Sequence, residues 1–162
     1  MREHVPPAGG VPEPQRIRDR PTWLISRAYA RATGLLQEGF AADGDRLRGY
    51  HYRLLAALGE QGPASQAALG RGTGIDRSDV TAALVELEER GLVERNVNPA
   101  DRRRNVVSIT AAGTRRLAEL DTVVDEVQER LLAPLSEDER RQFITLIRRI
   151  AGGGQGLRAR PP

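Results

Sequence analysis

"SQAALGRGTGIDRSDVTAALVELEERGLVERNVNPADRRRNVVSIT", Ser65 to Thr110, is the stretch on which the fold turns. Ser65 stands where it caps a short helix running to about Arg71. "GTGI" (Gly72 to Ile75) is a tight turn. Asp76 then caps a second helix, with Asp79 three residues on in a capping-box-like position. Val80, Leu84 and Leu87 give that helix one apolar stripe. It stops at "ERG", where Gly91 can take the left-handed conformation. The period then falls from 3.6 to two. "LVERNV" (Leu92 to Val97) and "NVVSIT" (Asn105 to Thr110) are strand-like, and Asn98 to Arg104 between them is a turn by composition. Short helix, turn, helix and basic hairpin make a helix-turn-helix followed by a β wing.

That order suits duplex DNA. A helix roughly 10–12 Å across fits the major groove. A hairpin beside it reaches the flanking minor groove, where negative potential attracts arginine. Arg102, Arg103 and Arg104 are therefore expected at the wing tip. Strand alternation sends successive side chains to opposite faces, so the three cannot share one groove. The second helix is itself acidic: Asp76, Asp79, Glu86, Glu88 and Glu89 against Arg77 and Arg90. Glu86, Glu88 and Glu89 read as solvated groups at its far end, while Asp79 can accept from cytosine N4. Phosphate attraction is then expected from Arg71, Arg95, Arg102, Arg104, Arg115 and Arg116, and Ser65 joins the candidate DNA contacts.

Further helices lie outside this unit. Pro21 to about Phe40 carries Leu24, Ala28, Leu35 and Leu36 on one face, with Pro21 in the first turn. Leu47 to Leu58 also fits a 3.6 period. Thr110 caps a long helix with Leu117, Leu120, Val123, Val124, Val127 and Leu131, ended by Pro134. "SEDE" (Ser136 to Glu139) is a capping box before Phe143, Ile147 and Ile150. The fold class is mainly α, with five to six helices and a two-stranded wing. The helices of about 21–40 and 111–151 have more apolar face than one small winged domain covers, so a homodimer is expected, presenting two reading helices to a near-palindromic site. Residues 1–18 are Pro- and Gly-rich and read as a disordered arm, 152–162 as a flexible tail. Between them, 19–151 form one domain whose winged part spans about 47–110.

Composition narrows the function. Of 162 residues only 4% are aromatic, and all 25 basic residues are arginine, for a net charge of +3. Each basic contact is thus a permanently charged planar fork suited to phosphates and base edges. Cysteine is absent, which removes disulfides, thiolate chemistry and Cys-type zinc sites. No apolar run reaches the ~18 residues of a membrane span, and the first twenty residues lack a signal-peptide core. A cytoplasmic protein with no cofactor and no metal is expected. No Ser/His/Asp triad, phosphate loop or H-E-x-x-H motif supports an enzyme. Trp23, Tyr29, Tyr50, His51, Tyr52 and Arg53 are the candidates for a small-ligand pocket between reading head and dimer helices. Core packing or DNA contact is the competing reading for each.

Residues of about 21–152 resemble the MarR family of bacterial transcriptional regulators. The likeness is carried by "LEERGLVER" followed by "NPADRRRNVVSITAAG", similar to the family's D-x-R wing and its L-T-x-x-G entry to the next helix, with Ile109 in place of leucine. It implies a triangular homodimer with intertwined terminal helices, a palindromic operator, and repression often relieved by a small aromatic or phenolic ligand. By the same resemblance, Arg103 is the arginine that enters the minor groove and Asp101 the wing aspartate. Asp76 falls where some members carry an acid that pairs with that arginine. Ser78 and Thr81 match small polar residues facing bases or phosphates, beside Arg77. Ala82 stands where many members have arginine. The alternative of another class is a winged-helix adaptor that binds protein rather than DNA.

Overall fold

The computed structural model describes residues 15–98 and 101–152, with the backbone alone at 97–98 and 101–105. Among these are helices α1 (Gln15–Arg18), α2 (Pro21–Ala42), α3 (Gly49–Gln61), α4 (Gln66–Thr73) and α5 (Arg77–Glu89). Strands β1 (Val93–Asn98) and β2 (Asp101–Ile109) follow, then α6 (Ala111–Leu132) and α7 (Glu137–Gly152). The architecture is mainly helical with one two-stranded antiparallel sheet.

Helix α3 is the hub, packing on α2, α4, α5, α6 and β2. Its Leu54, Leu55 and Leu58 are wholly buried, as their 3.6-residue spacing demands. They meet Leu69 of α4, the stripe Val80, Ala83, Leu84 and Leu87 of α5, Val93 and Val107 of the hairpin, and Leu120 of α6. Burial of a Leu or Val side chain stabilises by about 1.5–3 kcal/mol, so this one cluster holds α5 to the rest. Leu47 is buried too, but just ahead of α3 rather than within it.

The caps expected at three helix starts are present. Ser65 Oγ accepts from Ala68 N at 3.3 Å. Thr110 Oγ1 accepts from Gly113 N at 3.0 Å and donates to Gly91 O at 2.7 Å, pinning the two ends of the hairpin together. Glu139 accepts from Ser136 N at 2.8 Å, and this holds its carboxyl below its ordinary pKa. Gly91 has a φ of 68° and closes α5 as its sequence position suggested.

Three details differ from expectation. Asp76 occupies the N-cap position of α5, yet its carboxylate accepts no capping hydrogen bond. Arg77, Ser78 and Asp79 are exposed, so water can serve the first-turn amides. The hairpin strands run further than composition suggested, because antiparallel pairing satisfies backbone amides that a loop would leave to water. Pairing descends from Val93↔Ile109 to Val97↔Asn105 and then jumps to Asn98↔Asp101. Arg102, Arg103 and Arg104 are therefore extra residues of β2 at a register break, not a loop tip. Lastly, Gln15–Arg18 forms a helical turn inside the segment 1–18 read as an arm. Arg20 N donates to Ile17 O at 2.8 Å and Arg20 Nε to Arg16 O at 3.4 Å, which folds the turn onto the start of α2.

The hairpin is also tied to the helix-turn-helix by a bridge the sequence did not announce. Ala64 N donates to Val107 O at 3.0 Å, and Val107 N to Ala64 O at 2.9 Å. The residue before the Ser65 cap thus becomes a one-residue third strand.

Candidate nucleic-acid interface

Helix α4 ends at Gly74, whose φ of 65° lets the chain reverse into α5 within two residues. Because Val80, Ala83, Leu84 and Leu87 face inward, α5 must present its opposite stripe to solvent. That stripe is Ser78, Thr81, Ala82 and Val85, all exposed, with Arg77 and Asp79 beside it. Thr81 Oγ1 donates to Arg77 O at 2.9 Å and accepts from Gln66 Nε2 of α4. Arg71 is exposed near the end of α4. With Gln66, Asp76 and Arg77 it rims a groove of about 290 Å³ between the two helices. Ser65, Arg71, Asp76, Arg77, Ser78, Asp79 and Thr81 are thus all brought to the helix-turn-helix.

The remaining candidates divide. Arg102, Arg103 and Arg104 lie on β2, but their side chains, and the pairing of Asp76 with Arg103, fall outside the described residues. Arg95 of β1 is engaged within the fold: its Nε stands 3.0 Å from Glu88 Oε2. This phosphate candidate is thus already held in a partly exposed ion pair, because β1 leaves α5 directly and passes Glu88. Arg116 is engaged more deeply. It is half-buried among Asp43, Asp45 and Glu119. Burial disfavours its charge, but hydrogen bonds to Asp43 and Glu119 outweigh this and raise its pKa.

These pairs explain why α5 tolerates so many acids. Glu88 holds Arg95. Glu86 is not simply solvated, because its Oε2 stands 3.0 Å from Nε2 of the buried His51. Much of the negative charge at the far end of α5 is thus met from within the fold. The sequence set Glu86 among the solvated acids and did not single out Gln66. For Glu86 a signal existed: it borders the buried stripe, one turn on from Ala83.

Among the ligand candidates, Tyr29, Tyr50, Tyr52 and Arg53 line one open cleft of about 1060 Å³ between α2, α3 and α6, floored by Phe40 and Val124. Arg46 and Arg48, which the sequence did not single out, add two guanidiniums to its rim. Tyr52 Oη donates to Asp121 at 3.0 Å, and burial with that bond pushes its pKa up to about 12. Arg53 donates to Thr73 O at 3.1 Å, linking the cleft to the end of α4. Trp23 and His51 do not line the cleft. Trp23 is half-buried on α2 more than a turn ahead of Tyr29. His51 is wholly buried beneath α5, since its place in the first turn of α3 points it at the core.

Among the described residues no helix is long and apolar enough to cross a membrane.

The comparisons converge on one family. The MarR family model matches residues 47–104, which span the helix-turn-helix and most of the wing. The transcriptional repressor NicR of Pseudomonas putida is 28% identical over 85% of this chain and 85% of its own. The transcriptional regulator HosA of Escherichia coli O111:H- is 33% identical over 61% of this chain and 73% of its own. Among solved structures, Bordetella bronchiseptica BpsR, described as regulated in DNA binding by 6-hydroxynicotinic acid, superposes with a TM-score of 0.77. It is 25% identical and covers 85% of this chain and 97% of its own. With the helix-turn-helix, the exposed stripe of α5 and the basic wing, these relatives place the chain in the MarR family, as a DNA-binding transcriptional regulator and not an enzyme.

Proposed function

We propose that the chain is a repressor that binds a near-palindromic duplex operator as a homodimer. The observation that carries this is the solvent stripe of α5, Ser78, Thr81, Ala82 and Val85, presented beside a wing bearing three consecutive arginines. Helix α5 enters the major groove, where Ser78 and Thr81 face base edges or phosphates and Arg77 and Arg71 engage the backbone. The wing follows the adjacent minor groove.

The second copy is supported by what one copy leaves uncovered. Leu24, Ile25 and Tyr29 of α2, with Phe143, Ile144, Leu146 and Ile150 of α7, are large apolar side chains in solvent, Ile150 at 63% exposure. A patch of this kind is covered by a partner in a stable protein. Two copies set two α5 helices against one face of the duplex, about one helical turn apart.

A small aromatic acid in the Tyr29–Tyr50–Tyr52 cleft relieves repression. The lining supports that chemistry: aromatic faces for a ring, and Arg46, Arg48 and Arg53 for a carboxylate. Duplexes selected from a random pool by the full chain test the whole reading. Two inverted half-sites are expected, with affinity falling by a log–log salt slope of about −0.9 per phosphate contacted. Added 6-hydroxynicotinic acid or a benzoate is expected to release the duplex. Unselective binding, or none, would refute the reading.

A further inference from the structure

Helix α5 is held to α3 by an apolar seam. Apolar contact is non-directional, so the seam fixes how closely α5 approaches more firmly than how α5 is turned about its own axis. One polar pair crosses the same seam. His51 of α3 is 0% exposed, and Glu86 stands at the edge of the buried stripe of α5, beside Leu87 and one turn on from Ala83, with its side chain half-exposed. His51 Nδ1 accepts from Arg48 N at 3.0 Å, which closes one half of a capping box on α3. That bond puts the ring proton on Nε2. Nε2 is shut off from solvent and lies 3.0 Å from Glu86 Oε2, close enough for charge and dipole to attract, although the N–H is not aligned into a hydrogen bond. The imidazole also packs beside Tyr50, ring centroids 4.3 Å apart, and Tyr50 lines the cleft.

We infer that His51 and Glu86 are positioning residues for sequence readout: within the facing that the buried apolar stripe imposes, their contact fixes the fine rotation of α5 and hence where Ser78, Thr81, Ala82 and Val85 point. The inference rests on the DNA-reading role proposed for that stripe. The lever is long enough to matter. A helix about 5–6 Å in radius that turns by roughly 20° carries its surface side chains about 2 Å. That exceeds the spread of about 0.5 Å within which N–H···O distances fall. Phosphate contacts, made by flexible arginines, tolerate such a turn, whereas base-edge contacts do not. Losing the pair should therefore cost discrimination rather than general affinity. The same turn of α3 caps its own helix, touches Tyr50 and holds Glu86, so the edge of the cleft and the orientation of α5 share one side chain.

The test is the affinity of the full chain for a duplex it has itself selected and for a scrambled duplex of equal length. Glu86→Ala is expected to weaken the selected duplex by about tenfold or more, the scale of one specific contact. The scrambled duplex should bind as before or slightly tighter, because a negative charge has gone. Glu86→Gln, which keeps a polar oxygen of the same reach beside Nε2–H, should restore most of the discrimination. His51→Ala should match Glu86→Ala, and the double variant should add little to either. If His51→Ala does not fold, the two variants at the partly exposed Glu86 decide alone. Equal weakening on both duplexes, or an unchanged ratio in Glu86→Ala while wild type discriminates, overturns the inference. Failure of wild type to discriminate at all overturns the DNA-reading proposal and this inference with it.

Discussion

At the scale of single residues, two predictions carry weight. Arg102, Arg103 and Arg104 occupy a register break of β2, where three residues face a single step of β1. Only Arg103 matches the wing arginine of the family's D-x-R motif. Arg103→Ala is expected to weaken operator binding by about 1–3 kcal/mol, as for a specific contact, while Arg102→Ala and Arg104→Ala cost less and act evenly across sequences. Binding of the three variants to operator and scrambled duplexes checks it, and Arg103→Ala as the mildest would assign the wing differently. His51 gives a prediction in pH. Burial lowers its pKa, Glu86 opposes this, and Arg90 and Arg48 add to the lowering. The folded state thus prefers neutral imidazole, and the unfolded chain takes up the proton first as pH falls. Stability present above about pH 6.5 should be lost progressively below it. Urea unfolding of wild type and His51→Gln between pH 5 and 7.5 should show that slope only in wild type. A slope retained in the variant would assign it elsewhere.

Between elements, the junction of wing and α6 is the tightest point. Gly113 in the first turn of α6 sits against the strand ends: a Cβ there would overlap the Leu92 carbonyl oxygen and lie 2.8 Å from Ile109 Cγ1. Backbone cannot yield as a flexible side chain does. Gly113→Ala should therefore cost about 3 kcal/mol, the upper end of overpacking, and displace the hairpin from α5. Thermal unfolding together with operator affinity measures both effects, and an unchanged melting temperature would show that the strand ends yield at no cost. The same junction is pinned by Thr110, which caps α6 and holds Gly91 O. The wing, the end of α5 and the start of α6 are thus joined at one junction.

For the molecule as a whole, the uncovered apolar side chains of α2 and α7 predict an obligate dimer. Sedimentation at micromolar concentration should give twice the 17.8 kDa of one chain, and a stable monomer would refute it. Replacing Leu146 and Ile150, 46% and 63% exposed in one copy, with Glu should dissociate the dimer, because charge buried without a partner is costly. Operator affinity should fall with it, since each copy carries only one α5.

Much of this was legible in the sequence because it depends on residues close together in the chain. Caps at Ser65, Thr110 and Ser136, the left-handed glycine at 91, and the 3.6-residue stripe of α5 are local consequences of side-chain chemistry, and each stood where its residue type demanded. The exposed stripe of α5 follows from the buried one, because helix positions about half a turn apart face opposite ways. Partners distant in sequence were not legible. Arg95 and Arg116 read as free cations until the fold brought Glu88, Asp43 and Asp45 against them. Composition took the three wing arginines for a loop, since a register break depends on both strands at once. His51 read as a ligand candidate, and Glu86 as a solvated end, because nothing in either segment says that α3 crosses α5 at that point. Which side chains meet is set by the packing of helices around one core, and a contact between residues 35 apart depends on that packing alone.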